Sequence, residues 1–266
     1  VIRLFVGADG GNCDLESQAV LEYTVRKYAS EPVEITWMQQ SKKGPWSGWA
    51  GAASARTPFT NFRWSPPAVC NFEGRAIYVD SDWIFRADIA ELWHQPIPGD
   101  VVMLLKEATG KLNTSCMLID CAKAKPFFPE LDVLRSMASP NEHMTHFFRG
   151  RKDLLAPFAG AWNCIDGGGF DDLNDPRLKA IHYSRIETQP QLRHAIPRLQ
   201  AEGLEHWYKG EPQRHWREDL LDLFDAELQN ATIAGYGIER YRVGKPVKAE
   251  RKDFRYKQHK GAKVSA

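Results

Sequence analysis

Residues 75–85 read RAIYVDSDWIF, an apolar run that ends on two aspartates one residue apart. In an extended chain, positions i and i+2 point the same way, so Asp80 and Asp82 face one point just beyond the strand Ala76 to Val79. A carboxylate so close to a core is costly unless it is solvated, paired or bound to a cation. Open α/β sheets bind ligands at the carboxyl ends of their strands. Two hard oxygen donors there suit Mn²⁺ or Mg²⁺, with positions left open for phosphate oxygens. Surface turns also produce Asp-x-Asp, so the pair alone does not establish a metal site.

The surroundings of the pair are those of an α/β chain. The opening IRLFVGADGGNCD runs from a short strand into Gly and Asp, and Leu21, Val25 and Tyr28 then recur at helical spacing. VEITWM, residues 33–38, reads as a second strand. Further strands are expected at Val101 to Leu105, Cys116 to Ile119 and Lys179 to Tyr183, with helical pieces between them. Asp88 is placed to cap a short helix on which Leu92 and Trp93 pack. Trp216, Leu220, Leu223, Phe224 and Leu228 mark a late amphipathic helix. This alternation predicts a mainly parallel sheet covered on both faces. Residues 41–58 have no period and read as a long loop, whose Trp46 and Trp49 either cover a ligand or pack beneath it.

Composition sets the outer limits. The 266 residues, 43% of them hydrophobic, are enough for an extensive core. No apolar run approaches the roughly 20 residues of a membrane span, and Val1 to Val6 is too short for a signal peptide, so a cytoplasmic protein is expected. The five cysteines are scattered and include no CxxC pair, which argues for reduced core thiols over a zinc cluster or a disulfide framework. Net charge is +1, but residues 239–266 carry ten Lys or Arg against three Asp or Glu, leaving the rest of the chain acidic. We therefore divide the chain into a main domain, 1–238, and a basic extension, 239–266. That extension is either a solvated tail or a contact for phosphates, whether of a membrane surface, a glycolipid or a nucleic acid.

RAIYVDSDWIFRADIAELW resembles the aspartate-motif region of retaining glycosyltransferases of the GT-A fold, in particular family 8 and its bacterial relatives. The resemblance spans about residues 2–200. It implies a GT-A, Rossmann-like α/β fold with a mainly parallel mixed sheet flanked by helices. It also implies that Asp80 and Asp82 hold a divalent ion, usually manganese, which bridges the diphosphate of a nucleotide sugar, UDP-hexose being the expected donor. RLFVGAD is similar to the family's first strand, which makes Asp9 a nucleoside contact with Asn12 beside it. Arg63 in TNFRW and Asn113 in LNTSCMLID become donor contacts, as does Ser81 between the aspartates. Trp162 and Asn163 in AWNCIDGGG fall on the acceptor side. KAIHYSRIETQP is similar to the C-terminal His motif, so His182 would complete the metal site.

Two departures stand out. The family's diphosphate-binding lysine precedes Pro-Trp, whereas here Gln189 takes that donor-binding position before Pro190 and Gln191 follows it. Arg185 and Arg193 are the nearby cations. The family's Asp-Gln pair has its nearest counterpart in Asn141 and Glu142, which makes Glu142 the one nucleophile candidate should a covalent route be followed; same-face attack is the reading preferred here. The resemblance implies retention of anomeric configuration. The acceptor is expected to be a glycan or a glycolipid such as lipopolysaccharide, reached at the inner membrane surface through the basic tail, and modified DNA bases are the alternative. Two other classes compete: a phosphatase of the haloacid dehalogenase type, whose motif continues with Gly and Thr or Ser where this chain has Trp83 and Ile84, and a non-catalytic scaffold that binds a sugar nucleotide.

Overall fold

The computed structural model describes residues 1–50, 56–106 and 112–244. The chain opens with β1 (Ile2–Gly7), α1 (Leu15–Tyr28) and β2 (Val33–Met38), a βαβ unit in which β1 and β2 run parallel. After the connection come a short helix α2 (Pro66–Val69), β3 (Arg75–Asp80), β4 (Trp83–Phe85), the single-turn helix α3 (Ala90–Trp93), β5 (Met103–Lys106) and β6 (Asn113–Asp120). The remainder holds α4 (Cys121–Ala124), α5 (Leu131–Ser136), α6 (Pro140–Gly150), β7 (Leu155–Pro157), β8 (Cys164–Ile165), β9 (Ala180–His182), α7 (Leu192–Ala201) and α8 (Glu218–Ile233).

Six strands form the main sheet in the order β2-β1-β3-β6-β5-β7. It is a mixed sheet, parallel across β2, β1 and β3 and again between β5 and β7, with β6 antiparallel to both of its neighbours. Strand periodicity divides the core in two. Ala76, Tyr78, Met103, Met117 and Ile119 pack on one face with Trp64, Phe128 and Phe148. Ile77, Val79, Leu104, Cys116 and Leu118 pack on the other with Leu21, Val25 and Phe85. Asp80 continues the Ala76–Tyr78 row, so its side chain emerges where that row reaches the end of the sheet.

A second sheet, β4-β9-β8, crosses the carboxyl end of β3 and was not anticipated from the sequence. Trp83 to Phe85 form its first strand, and the ladder pairs Trp83 with His182. The basic segment begins within the folded body, because Tyr241 is buried against α1 and packs edge-on to Trp37 at 5.5 Å. Residues 245–266, which hold the rest of that segment, lie outside the described residues.

The late helix differs from expectation at its start. Trp216 stands before α8 and is 54% exposed, while Leu220, Leu221 and Phe224 face the core. Glu218 and Asp219 occupy the first turn, where the helix dipole favours acid, so the helix begins at Glu218 and leaves Trp216 outside. Trp46 and Trp49 are buried and pack on Phe62, the tryptophan-to-phenylalanine centroids 5.6 and 4.8 Å apart. The five cysteines are free and buried. Among the described residues no helix is long and apolar enough to cross a membrane.

Candidate metal and donor site

Asp80 closes β3, and Ser81 and Asp82 turn the chain into β4. Because β9 lies antiparallel to β4, His182 is set against Trp83, with the rings stacked at 4.9 Å and 16°. The Tyr183 amide donates to the Asp82 carbonyl at 3.0 Å. These backbone constraints bring Asp80, Asp82 and His182 together, each offering a ligand atom within 4.8 Å of the others. His182 Nε2 lies 3.4 Å from Asp82 Oδ1.

The hydrogen-bond network fixes which face of His182 is presented. Asn113 Oδ1 accepts from the Ser115 amide at 3.3 Å, so it is the carbonyl end of that side chain. Ser115 Oγ and Asn163 Nδ2 therefore both donate to it, at 2.7 and 3.2 Å. That orientation turns Asn163 Oδ1 toward His182 Nδ1 at 3.2 Å, and the ring must donate there. Nε2 is left facing Asp82, either with a proton on it or with a lone pair for a cation. Asp82 Oδ1 is buried and accepts no hydrogen bond among the described residues. A buried carboxylate oxygen opposite an imidazole edge, with a second carboxylate alongside, is a donor set that fits a divalent ion.

Asp80 is held from beneath. Arg63, on the 3-10 turn Phe62–Trp64, donates to its two oxygens at 3.0 and 3.2 Å and to Thr114 Oγ1 at 2.9 Å. The Tyr78 hydroxyl donates to Oδ1. Burial raises the Asp80 carboxyl above the usual range, and the Arg63 charge opposes that shift. Burial acts to lower the Arg63 guanidinium, but Asp80, Tyr78 and Asp82 together outweigh it and leave it raised. Burial also pushes the Tyr78 phenol well up, reinforced by Asp80. Arg63 is thus occupied as the counter-ion of Asp80.

The remaining residues fall into distinct roles. Asp9 Oδ2 accepts from the Gly11 and Cys13 amides at 2.5 and 3.1 Å, so its carboxylate shapes the β1–α1 loop. A side chain at Gly10 would collide with the Gln40 carbonyl, which keeps this loop against the end of β2. Asn12 has φ 65° and exchanges two hydrogen bonds with the backbone of Val243, at 2.8 and 3.2 Å. Its side chain fastens the C-terminal segment to the loop. Ser81 Oγ donates to Asp14 at 3.3 Å, and Gln189 Nε2 donates to Asp82 Oδ2 at 2.6 Å.

Two sequence-predicted positions have other surroundings in the fold. Trp162 is 2% exposed and packs within the core. Glu142 is exposed on α6, lining a separate cavity of about 730 Å³ with Ser139, His143, His146 and Arg149. It makes no hydrogen bond or ion pair with Asp80, Asp82 or His182. The amide of its neighbour Asn141 donates to Asn61, and the Asn141 side chain accepts from Trp64 at 3.0 Å, tying the start of α6 to the turn that carries Arg63.

Sequence reasoning passed over Tyr78, Asp14 and Ser115. Tyr78 and Ser115 were available from period-two spacing to Asp80 and Asn113. Asp14 sits at the helix N-cap position, where capping is the ordinary reading. It accepts instead from the Asp9 amide, Ser81 and Trp207 Nε1, and burial, together with the nearby Asp9 charge, raises its carboxyl to about 7.

No protein-family model matches the chain. Protein CDI of Arabidopsis thaliana is 29% identical over 205 residues, which cover 69% of this chain and 77% of that protein. Among solved structures, the galactosyltransferase LgtC in complex with donor and acceptor sugar analogues superposes with a TM-score of 0.53 at 12% identity, covering 86% of this chain and 96% of LgtC. The fold is that of the GT-A glycosyltransferases. The glycosyltransferase GlyE of Streptococcus pneumoniae gives 0.53 at 14% identity over 88% of this chain, and the bifunctional glycosyltransferase WbbM gives 0.53 at 13% over 91%. The GT-A chain described here spans 64% of the GlyE chain and about half, 51%, of the WbbM chain.

Proposed function

We propose that this chain is a metal-dependent glycosyltransferase that moves a hexose from a nucleoside diphosphate donor, UDP-hexose in the first instance, to the hydroxyl of a glycan or glycolipid with retention. The observation that carries this reading is the convergence of Asp80, Asp82 and His182 at the carboxyl end of β3, with Asp82 Oδ1 buried and accepting no hydrogen bond among the described residues. A bound Mn²⁺ or Mg²⁺ would supply Lewis-acid stabilisation of the charge on the leaving diphosphate.

The protein's own part is preorganisation. Arg63 and Tyr78 fix Asp80, Gln189 fixes Asp82, and Asn163 fixes the His182 ring, so the three ligand groups need not reorganise when charge develops. Asp9 and Asp14 hold the β1–α1 loop beside them, on the nucleoside side. The route proposed is same-face attack by the acceptor, with the departing phosphate taking its proton.

Incubation of the protein with UDP- and GDP-sugars and Mn²⁺ tests the reading through release of nucleoside diphosphate, the slow hydrolysis expected without acceptor. Release that needs Mn²⁺ and is lost in Asp82→Ala supports it. The replacement of the expected lysine by Gln189 favours a second reading, a sugar-nucleotide-binding scaffold. That reading predicts metal-dependent binding with no release and no transfer.

A further inference from the structure

A nucleoside diphosphate brings more negative charge than one divalent ion offsets, and the metal group itself contributes the two carboxylates Asp80 and Asp82, so a protein cation is needed beside it. Most candidates are engaged. Arg63 is paired with Asp80, Arg193 with Asp225 at 3.0 Å, and Arg198 with Glu16 at 2.7 Å. Lys106 donates to the Asn163 carbonyl at 2.7 Å. Gln189 carries no charge and is taken up by Asp82 and the Tyr183 carbonyl.

Arg185 is different. It lies on the segment whose two ends, His182 and Gln189, both approach Asp82. Its side chain is exposed and makes no hydrogen bond or ion pair among the described residues. The guanidinium lies over the Trp216 ring, 4.9 Å from the centroid. Trp216, though 54% exposed, is anchored from beneath by stacking on the buried His215 ring at 4.1 Å and 17°. An arginine laid on a fixed indole keeps its planar fork of donors preorganised and unspent, the arrangement suited to phosphate oxygens. Asp166, whose amide donates to the His182 carbonyl, has its carboxyl raised by burial, with Arg185 near enough to oppose that shift, yet the two form no ion pair.

We propose that Arg185, held on Trp216, is the cation that binds the donor diphosphate. This rests on the donor-site reading above and assigns the charge that Gln189 does not provide. Trp216 is then a positioning residue, and its removal leaves the charge but not its orientation.

Calorimetric titration of wild type, Arg185→Gln, Arg185→Lys, Trp216→Ala and Arg193→Gln with UDP, GDP and inorganic pyrophosphate, each with Mn²⁺, tests the assignment. UMP and uridine serve as probes with fewer phosphates. Arg185→Gln is expected to weaken diphosphate binding at least tenfold, UMP less, and uridine not at all. Arg185→Lys recovers part of the loss, Trp216→Ala loses severalfold, and Arg193→Gln matches wild type. Diphosphate binding by Arg185→Gln within twofold of wild type overturns the assignment, as does an equal loss for uridine. If wild type binds none of the diphosphate probes, the donor-site reading falls first and this inference with it, a result visible without any variant.

Discussion

Gln189 donates through Nε2 to Asp82 Oδ2 at 2.6 Å and to the Tyr183 carbonyl at 2.7 Å, while its Oε1 accepts from Gln191 at 2.9 Å. This buried amide chain anchors one oxygen of Asp82 and leaves the other, Oδ1, facing His182. Groups that orient metal ligands commonly contribute 10- to 100-fold to metal affinity. Gln189→Ala should therefore weaken Mn²⁺ binding by roughly tenfold, measured by the loss of the free Mn²⁺ paramagnetic resonance signal on titration. Unchanged affinity would show that Asp82 is held well enough by the β4 backbone alone.

Arg63 and Asp80 form a pair with side chains 12% and 11% exposed. Removing one member of a buried pair strands the other charge, at a cost of about 3–5 kcal/mol. Arg63→Met should destabilise the fold on that scale in urea unfolding, and Arg63→Met combined with Asp80→Asn should recover part of the loss. Additive losses in the double variant would contradict the pairing.

Asp14 gives the fold a pH dependence of definite sign. Its carboxyl is raised from the ordinary value of 3.8 to about 7, first by burial and then by Asp9. Between those values the folded state holds a proton that the unfolded state has released, so this group's penalty grows as pH rises and is complete above about 7. Asp14→Asn removes the penalty but sacrifices an acceptor for the Asp9 amide or for Trp207. Relative to wild type, its melting temperature should improve from pH 5 to pH 8, measured with chelator present. A difference that stays constant with pH would place the titration elsewhere.

Asn12 is in the left-handed region at φ 65° and bonds twice to Val243. Asn12→Gly loses both bonds, each worth about 1 kcal/mol, without adding strain. Asn12→Ala adds about 1–2 kcal/mol for a Cβ at that φ. Alanine should therefore be the less stable of the two in denaturant unfolding. Equal stabilities would mean that the loop relaxes to negative φ once Val243 is released.

Much of this was legible in the sequence because it depends on short-range periodicity. Alternation over Ala76 to Val79 places Asp80 on the Tyr78 face, and the strand Asn113–Asp120 contains the expected Cys116 to Ile119. What the sequence concealed depends on pairing across distance. Trp83 to Phe85 is an apolar triplet too short to declare itself a strand until β9 lies beside it. Asn12 looks like a ligand contact until Val243, 231 residues away, claims its amide. Trp162 gives no sign in sequence of whether its indole faces a sugar or the core. Arg63 and Arg185 are equivalent cations on paper, and only the structure shows that one is paired and the other retains its donors.

The central claim is that Asp80, Asp82 and His182 hold a divalent ion that in turn binds a nucleoside diphosphate. Calorimetric titration of Mn²⁺, followed by UDP, GDP and their sugars, into wild type and Asp82→Ala tests it most directly. The account predicts nucleotide binding by wild type that requires Mn²⁺, vanishes with chelator and is lost in Asp82→Ala although that variant remains folded. Nucleotide binding of equal strength with and without Mn²⁺, or its persistence in Asp82→Ala, would contradict it.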